Sequence, residues 1–330
     1  KRLYPNGPAA AQVLGAVNVD NVGIAGIEKW IDTSGLGVLR TTGMRYERAD
    51  LDPVQLSIDL YVQHAFTDQL AKEIEKYEAV GGAGLLMDVT NGEVLSLVSL
   101  PDFDPNDPTQ ALKKENINRI NVGVYEMGST FKSFTLAMGL EAGAITLNSV
   151  VDASRPIRMG GSTIKDFWGK NRPLSIAEVF QYSSNIGAAA VAAMVGVEGH
   201  QQFLTKLGLL SRMETEMPGV ATPTQPRTWK KINSVTISLG HGIATTPLQT
   251  AVAAAALING GNLISPTFLS RSREDAATVS RAVIKGKTSA DMRYLFNWNG
   301  IKGSGRRAQV EGFHVGGKTG TADKVINGRY

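Results

Sequence analysis

The stretch Tyr125-Glu126-Met127-Gly128-Ser129-Thr130-Phe131-Lys132, followed by an apolar run ending near Gly143, decides how this chain is read. A serine hydroxyl is a weak nucleophile until a base takes its proton. Ser129 and Lys132 stand three apart, and on a helix such residues share a face, so their side-chain ends can meet. Gly128-Ser129 opens the helix, where the aligned peptide dipoles favour a developing negative charge by about 0.3–1 kcal/mol at an exposed site. A second pair, Ser162 and Lys165, has the same spacing. It lies between Met159-Gly160-Gly161 and Asp166-Phe167-Trp168-Gly169, which reads as a loop. Short spacings recur by chance, so neither pair is decisive alone.

Two triplets single out Ser129. Ser183-Ser184-Asn185 is the only Ser-x-Asn in the chain. It precedes an alanine-rich helical pattern, where it reads either as a pair facing a cleft or as an ordinary helix cap. Lys318-Thr319-Gly320-Thr321 holds the only Lys-Thr-Gly and reads as a strand after Gly316-Gly317. Its plain alternative is an ordinary exposed strand.

The bulk of the sequence is compatible with an enzyme of this kind. The chain has 330 residues, 42% hydrophobic and 19% charged, enough for a sizeable buried core. A net charge of +4 is small for this length, and no Lys/Arg run is dense enough to suggest nucleic acid as a partner. Cysteine is absent, and His64, His200, His241 and His314 are scattered without ligand spacing. Neither a metal site nor a histidine base is expected. The apolar stretches 186–197 and 250–258 fall short of the roughly 18–20 residues that span a bilayer. The chain begins at Lys1 without a signal-peptide pattern. It reads as a fragment or processed product, with any membrane anchor outside it.

Along the chain, residues 1–50 are turn-rich, with Tyr4-Pro5-Asn6-Gly7 at the start, and Leu51-Asp52-Pro53 reads as a boundary. From Val54 a short strand and then a helix to about Tyr77 are expected, with Ala65, Leu70 and Ile74 near helical spacing. The apolar runs 84–89 and 93–98 flank Asn91-Gly92, a hairpin signal because both residues readily take positive φ. Helical segments dominate from Gly143 to about Gly261, broken by loops at 155–173 and 217–227. Thr246-Pro247 reads as a helix start, and short strands and a helix follow Ser265. This pattern predicts a mixed α/β domain with a helical insertion, preceded by a small module.

Ser-x-x-Lys, Ser-x-Asn and Lys-Thr-Gly in this order form the triple signature of penicillin-recognising enzymes, and the chain resembles that superfamily. The segment around Ser129 is similar to the nucleophile segment of class B penicillin-binding proteins, with Met127 where proline is common. Ser238-Leu239-Gly240-His241-Gly242-Ile243, Thr246-Pro247-Leu248-Gln249 and Asn259-Gly260-Gly261 resemble a further segment of that class. Arg2-x-Tyr4-Pro5-x-Gly7, Leu14-Gly15 and Gly26-Ile27-Glu28 resemble its pedestal. Tyr125-Glu126 and Ser183-Ser184-Asn185-Ile186-Gly187 look like the cell-division type.

The resemblance implies a penicillin-binding transpeptidase fold: a five-stranded antiparallel sheet packed by helices, plus an all-helical subdomain. Residues 1–50 would be part of a pedestal and 51–330 a transpeptidase domain, incomplete at its C-terminus. It implies D,D-transpeptidation of peptidoglycan stem peptides in septal wall synthesis, with a donor ending in D-Ala-D-Ala and an amine acceptor. Ser129 would be the nucleophile and Lys132 its base. Ser183 would relay a proton, and Asn185 would orient Lys132 and the substrate amide. Lys318 would supply positive potential. Thr319 and Thr321 would hold the substrate carboxylate, with Gly320 between them in the substrate-binding segment, and the amides of Ser129 and Thr321 would form the oxyanion hole. β-Lactams would be covalent inhibitors, and no cofactor would be needed. A membrane glycan polymerase and other division proteins would be partners, on the extracytoplasmic side of an anchored protein.

Other functions compete. A D,D-carboxypeptidase, a β-lactamase or a β-lactam sensor would share the fold. No glutamate-x-x-Leu-Asn motif follows Asn185, although Glu214 and Glu216 lie in the right region. Gly312 to Thr319 also fits a phosphate-binding loop, which would have to lead into a helix. In the family fold two later strands join Lys318–Thr321 to the hairpin at 84–98, so the chain is expected to be an incomplete record or to fill that gap otherwise. Phe296-Asn297-Trp298-Asn299-Gly300 reads as a missing or rebuilt loop.

Overall fold

Asp59, Ser175, Ser184, Thr246 and Ser272 each stand just before a helix, and each side chain accepts a hydrogen bond from a first-turn amide. Those amides have no intrahelical acceptor, so local chemistry sets where the helices begin. The computed structural model describes residues 2–34 and 53–323. The expected boundary at Leu51-Asp52 lies outside them.

Residues 2–34 fold as a small module: helix α1 (Ala11–Leu14), strand β1 (Ala16–Val17) paired with β2 (Gly23–Ala25), and helix α2 (Gly26–Thr33). Gln12 ties it to the rest of the chain, its Nε2 reaching Asp102 Oδ1 at 3.1 Å and the Asn116 carbonyl at 3.0 Å. Helix α3 (Leu60–Lys76) covers the antiparallel hairpin β3 (Gly82–Met87) and β4 (Val94–Leu100). Buried Gln63 of α3 satisfies the hairpin edge: Nε2 donates to the Leu97 carbonyl (2.8 Å), while Oε1 accepts from the Leu97 amide (3.0 Å) and the Ser96 hydroxyl (2.8 Å). The expected hairpin is present, but only Gly92 of its Asn-Gly pair takes positive φ (81°). Asn91 instead accepts the Glu93 amide through its side chain (3.0 Å).

The next part of the chain begins with a 3-10 turn, Gly128–Phe131, that runs into helix α4 (Lys132–Glu141). After it come β5 (Val150–Val151), the hairpin of β6 (Ile157–Met159) and β7 (Ser162–Ile164), and β8 (Leu174–Ser175), which pairs back on β5. Helices α5 (Ile176–Gln181), α6 (Asn185–Lys206, interrupted at Gly196), α7 (Lys231–Ser238) and α8 (Pro247–Ile258) follow. The last elements are β9 (Asn262–Ile264), α9 (Arg273–Thr278), β10 (Ser280–Ala282) paired with β9, and α10 (Gly286–Lys302).

The main core gathers α4, α5, α6, α8 and α10 around Phe131, Phe134, Phe180 and Leu204. Phe131 and Phe134 meet edge to face at 5.2 Å, and burial of each ring stabilises by about 1.5–3 kcal/mol. On α6, buried Ala188, Ala189 and Ala192 contribute only methyl groups, which lets neighbouring helices approach closely. Here α4 and α6 pack directly on one another.

Three local expectations need correction. The 155–173 loop contains the β6–β7 hairpin, turned by Gly160 and Gly161 at φ 57° and 79°. The five residues from Phe296 to Gly300 are a continuous part of α10. Phe296 meets Phe180 edge to face at 5.4 Å and Trp298 Nε1 donates to Gln181 Oε1 at 2.9 Å, so a polar-looking segment is held as helix by the neighbouring α5. Lys318–Thr321 belongs to no strand, because no backbone ladder lies beside it among the described residues. Of the implied five-stranded sheet, the described residues contain the β3–β4 hairpin as a two-stranded unit. No helix among the described residues is long and apolar enough to cross a membrane.

Candidate active site

Ser129 sits on the 3-10 turn and Lys132 on the first position of α4, so the three-residue spacing brings Lys132 Nζ to 2.6 Å from Ser129 Oγ. Lys132 is 1% exposed. Ser183 enters from the turn between α5 and α6. Its Oγ lies 3.2 Å from Lys132 Nζ and 3.0 Å from Lys318 Nζ. One hydroxyl thus bridges two lysines, and the three motifs converge although Lys318 is 135 residues from Ser183.

Burial pushes Lys132 down to about 7, Lys318 adds to this by charge repulsion, and Asp166 opposes it. Burial alone lowers Lys318 to about 8. Desolvation disfavours the charged form of an amine, and a like charge nearby does the same. At neutral pH, Lys132 is therefore within reach of the neutral state that a base needs, while Lys318 keeps its charge.

Close backbone approach holds the turn that carries Ser129. Gly128 (φ 52°) and Gly240 (φ 90°) both occupy the left-handed region. A Cβ on Gly128 would collide with the Thr321 carbonyl, and one on Gly240 with the Gly128 carbonyl. Glycine is required at both places for steric as well as conformational reasons. Glu126 fastens the same turn, its Oε1 accepting the Gly242 amide (2.7 Å) and its Oε2 facing His241 Nδ1 (3.0 Å). The backbone of Thr321 lies against Gly128, the residue just before Ser129.

Beyond Ser183, the motif residues divide their work. Ser184 is the helix cap of α6, its Oγ accepting the Gly187 amide at 2.9 Å, so the cap and the cleft-facing residue are both present in one triplet. Asn185 Nδ2 donates to the Lys165 carbonyl (2.9 Å) rather than bonding to Lys132. Thr319 Oγ1 donates to Ser304 Oγ at 2.8 Å, and Lys318 Nζ also reaches the Thr319 carbonyl at 2.9 Å. The Lys318 segment is anchored to α10 through Gly317, whose carbonyl accepts Asn299 Nδ2 (2.7 Å) and whose amide donates to the Phe296 carbonyl (3.2 Å).

Several competing roles lose their basis. Ser162 belongs to a β-hairpin and Lys165 is exposed, so that pair lacks the helical face the first pair shares. No helix follows Lys318 through Asp323, which removes the phosphate loop. Glu216 is occupied elsewhere, accepting the Thr267 hydroxyl (2.6 Å) and the Phe268 amide (3.1 Å). His200 is a core histidine, held neutral by burial at about 4 and bonded through Nδ1 to Ser234 Oγ (2.9 Å). Sequence reasoning did not find Asp166, Glu126 or Gly240 as site residues. The segment Ser238–Ile243 was visible as a pattern, but its contact with Gly128 was not.

This is the geometry of a serine nucleophile served by a lysine base. The penicillin binding protein transpeptidase domain matches residues 82–330, and the chain belongs to that family. It is 39% identical over 327 residues, 98% of its length, to the "Probable peptidoglycan D,D-transpeptidase FtsI" of Caulobacter vibrioides, covering 54% of that protein. It is 31% identical over 353 residues to the "Peptidoglycan D,D-transpeptidase FtsI" of Escherichia coli, covering 100% of this chain and 58% of that one. The chain thus spans little more than half the length of the curated relatives it matches. Among solved structures, penicillin binding protein 3 of Mycobacterium tuberculosis in complex with aztreonam superposes with a TM-score of 0.86 at 26% identity, covering 99% of this chain and 77% of that one. The transpeptidase domain of Burkholderia pseudomallei penicillin-binding protein 3 gives 0.74 at 30% identity, covering 87% and 81%.

Proposed function

We propose that this chain is the catalytic part of a peptidoglycan D,D-transpeptidase. One observation carries the reading: Lys132 Nζ is 2.6 Å from Ser129 Oγ, with Ser183 Oγ bridging to Lys318. Neutral Lys132 takes the Ser129 proton as Oγ attacks the carbonyl between the two terminal D-alanines of a stem peptide. The developing oxyanion lies against the amides of Ser129 and Thr321. The C–N bond then breaks, and the leaving D-alanine amine receives its proton through Ser183. The acceptor amine attacks the resulting ester, gives its proton back through Lys132, and restores Ser129. Lys318, Thr319 and Thr321 meet the donor's terminal carboxylate, with Gly320 keeping that stretch free of a side chain. Asn185 sits at the rim of the site and orients the substrate amide.

The relatives' names and the Ser183-Ser184-Asn185-Ile186-Gly187 pattern favour a role in septal wall synthesis. In that reading residues 1–50 belong to a pedestal, a membrane anchor holds the protein on the extracytoplasmic side, and a glycan polymerase and other division proteins are its partners. β-Lactams imitate the D-Ala-D-Ala end and leave a slow ester on Ser129.

The test uses a stem pentapeptide donor with an amine acceptor, read by mass spectrometry. A donor–acceptor amide with release of one D-alanine is expected. Release with water as the only acceptor would make the chain a carboxypeptidase, and no release at all would overturn the reading.

A further inference from the structure

The turn that presents Ser183 is backbone-strained. Ser183 takes φ 55°, a left-handed conformation uncommon outside glycine. Such a residue stays in place only when its surroundings pin it on both sides. On the α5 side, the amides of Ser183 and Ser184 donate to the carbonyls of Phe180 (3.2 Å) and Val179 (3.0 Å). On the α6 side the pin is the carboxylate of Asp166, which the acyl-transfer scheme leaves unused. Its Oδ2 accepts the Ser184 hydroxyl at 2.8 Å and its Oδ1 accepts the Ile186 amide at 3.0 Å. That amide belongs to the first turn of α6, where a negative charge is favoured.

We propose that Asp166 is a positioning residue of the active site, clamping the start of α6 so that Ser183 Oγ stays between Lys132 and Lys318, while its charge faces Lys132. The inference rests on the transpeptidase reading. Two charged groups act on Lys132, Lys318 and Asp166. The elements packed around it add little that could replace Asp166. On α5, Glu178 turns outward onto Arg172 (2.6 Å). The stretch of α6 before its interruption carries no charge, nor does α8, and Lys231 of α7 is exposed. On α10, Lys287 and Asp291 pair with each other and Arg293 binds the Ile258 carbonyl. Glu126 and His241 face one another on the far side of Gly128.

The experiment compares the full chain with Asp166→Asn and Ser184→Ala, measuring acylation by a fluorescent penicillin across the pH range in which both lysines ionise. Asp166→Asn keeps the shape and removes the charge. Its maximal rate is expected to fall roughly 10- to 100-fold, since small misplacement of a reacting group has effects of this size. Its rising limb is expected to move to lower pH, because losing a facing negative charge makes neutral Lys132 available earlier. Ser184→Ala loosens the clamp but keeps the charge, so the rate falls and the limb stays. A limb that does not move in Asp166→Asn, or that moves equally in Ser184→Ala, overturns the proposal. If Asp166→Asn does not fold, Ser184→Ala still decides the clamp: an unchanged rate there overturns it. A wild-type chain that is not acylated at any pH would defeat the transpeptidase reading itself, and this inference with it.

Discussion

Treatment of the wild-type chain with penicillin is expected to add one drug mass, on the peptide that contains Ser129, and Ser129→Ala is expected to lose that adduct. The expectation follows from position as well as identity. Ser129 is held on a tight turn where a side chain on Gly128 would strike the Thr321 backbone and one on Gly240 would strike the Gly128 carbonyl. Its hydroxyl is the one closest to a buried amine, at 2.6 Å. Removing the nucleophile removes the bond-forming atom, so the rate of adduct formation should drop roughly 10⁴-fold or more. Intact-mass and peptide-mapping spectra read the result directly. An adduct on the peptide containing Ser162, or an adduct that survives Ser129→Ala at wild-type rate, would refute the assignment.

Lys132→Ala should be nearly as damaging, lowering acylation about 10²- to 10⁴-fold, the usual range for a positioned general base. A structural role for the amine would show mainly as lost thermal stability, whereas a base role also shapes the pH profile. Lys132 must be neutral to accept the Ser129 proton, so the wild-type rate should rise with pH through about 7. Lys318 must be charged to hold a carboxylate, so the rate should fall again above about 8. The result is a narrow bell, with its maximum between the two. Measuring acylation rates of the wild type and of Lys132→Ala over that range checks both statements. A flat profile in the wild type, or a rising limb unchanged in Lys132→Ala, would mean that some other group takes the proton.

Much of the architecture was legible because it is written in local chemistry. Helix starts were marked by residues such as Thr246, whose hydroxyl takes the Gln249 amide at 3.1 Å within a few residues of chain. The pairing of β3 with β4 follows from two apolar runs flanking Asn91-Gly92. Where two readings of the same residues were locally reasonable, the sequence was less informative. The segment from Phe296 to Gly300 is helical because Phe180 and Gln181 of α5 hold it, and nothing within the segment itself announces those partners. The β6–β7 hairpin was hidden by its two glycines, which favour many turns and specify this one only with the strands around it.

The sequence by itself put Ser129 and Lys132 within reach of each other, since a spacing of three at the start of a helix places two side chains on one face, and their contact at 2.6 Å is of that local kind. It also ordered the three motifs. Only the tertiary structure decided that Ser183 stands between Lys132 and Lys318, that Asp166 closes on the start of α6, and that Asn185 turns to the Lys165 carbonyl. Those contacts join parts of the chain separated by as many as 135 residues. They exist because apolar helices pack into one core, and hydrophobic burial, being non-directional, carries no local mark of which polar groups it will bring face to face.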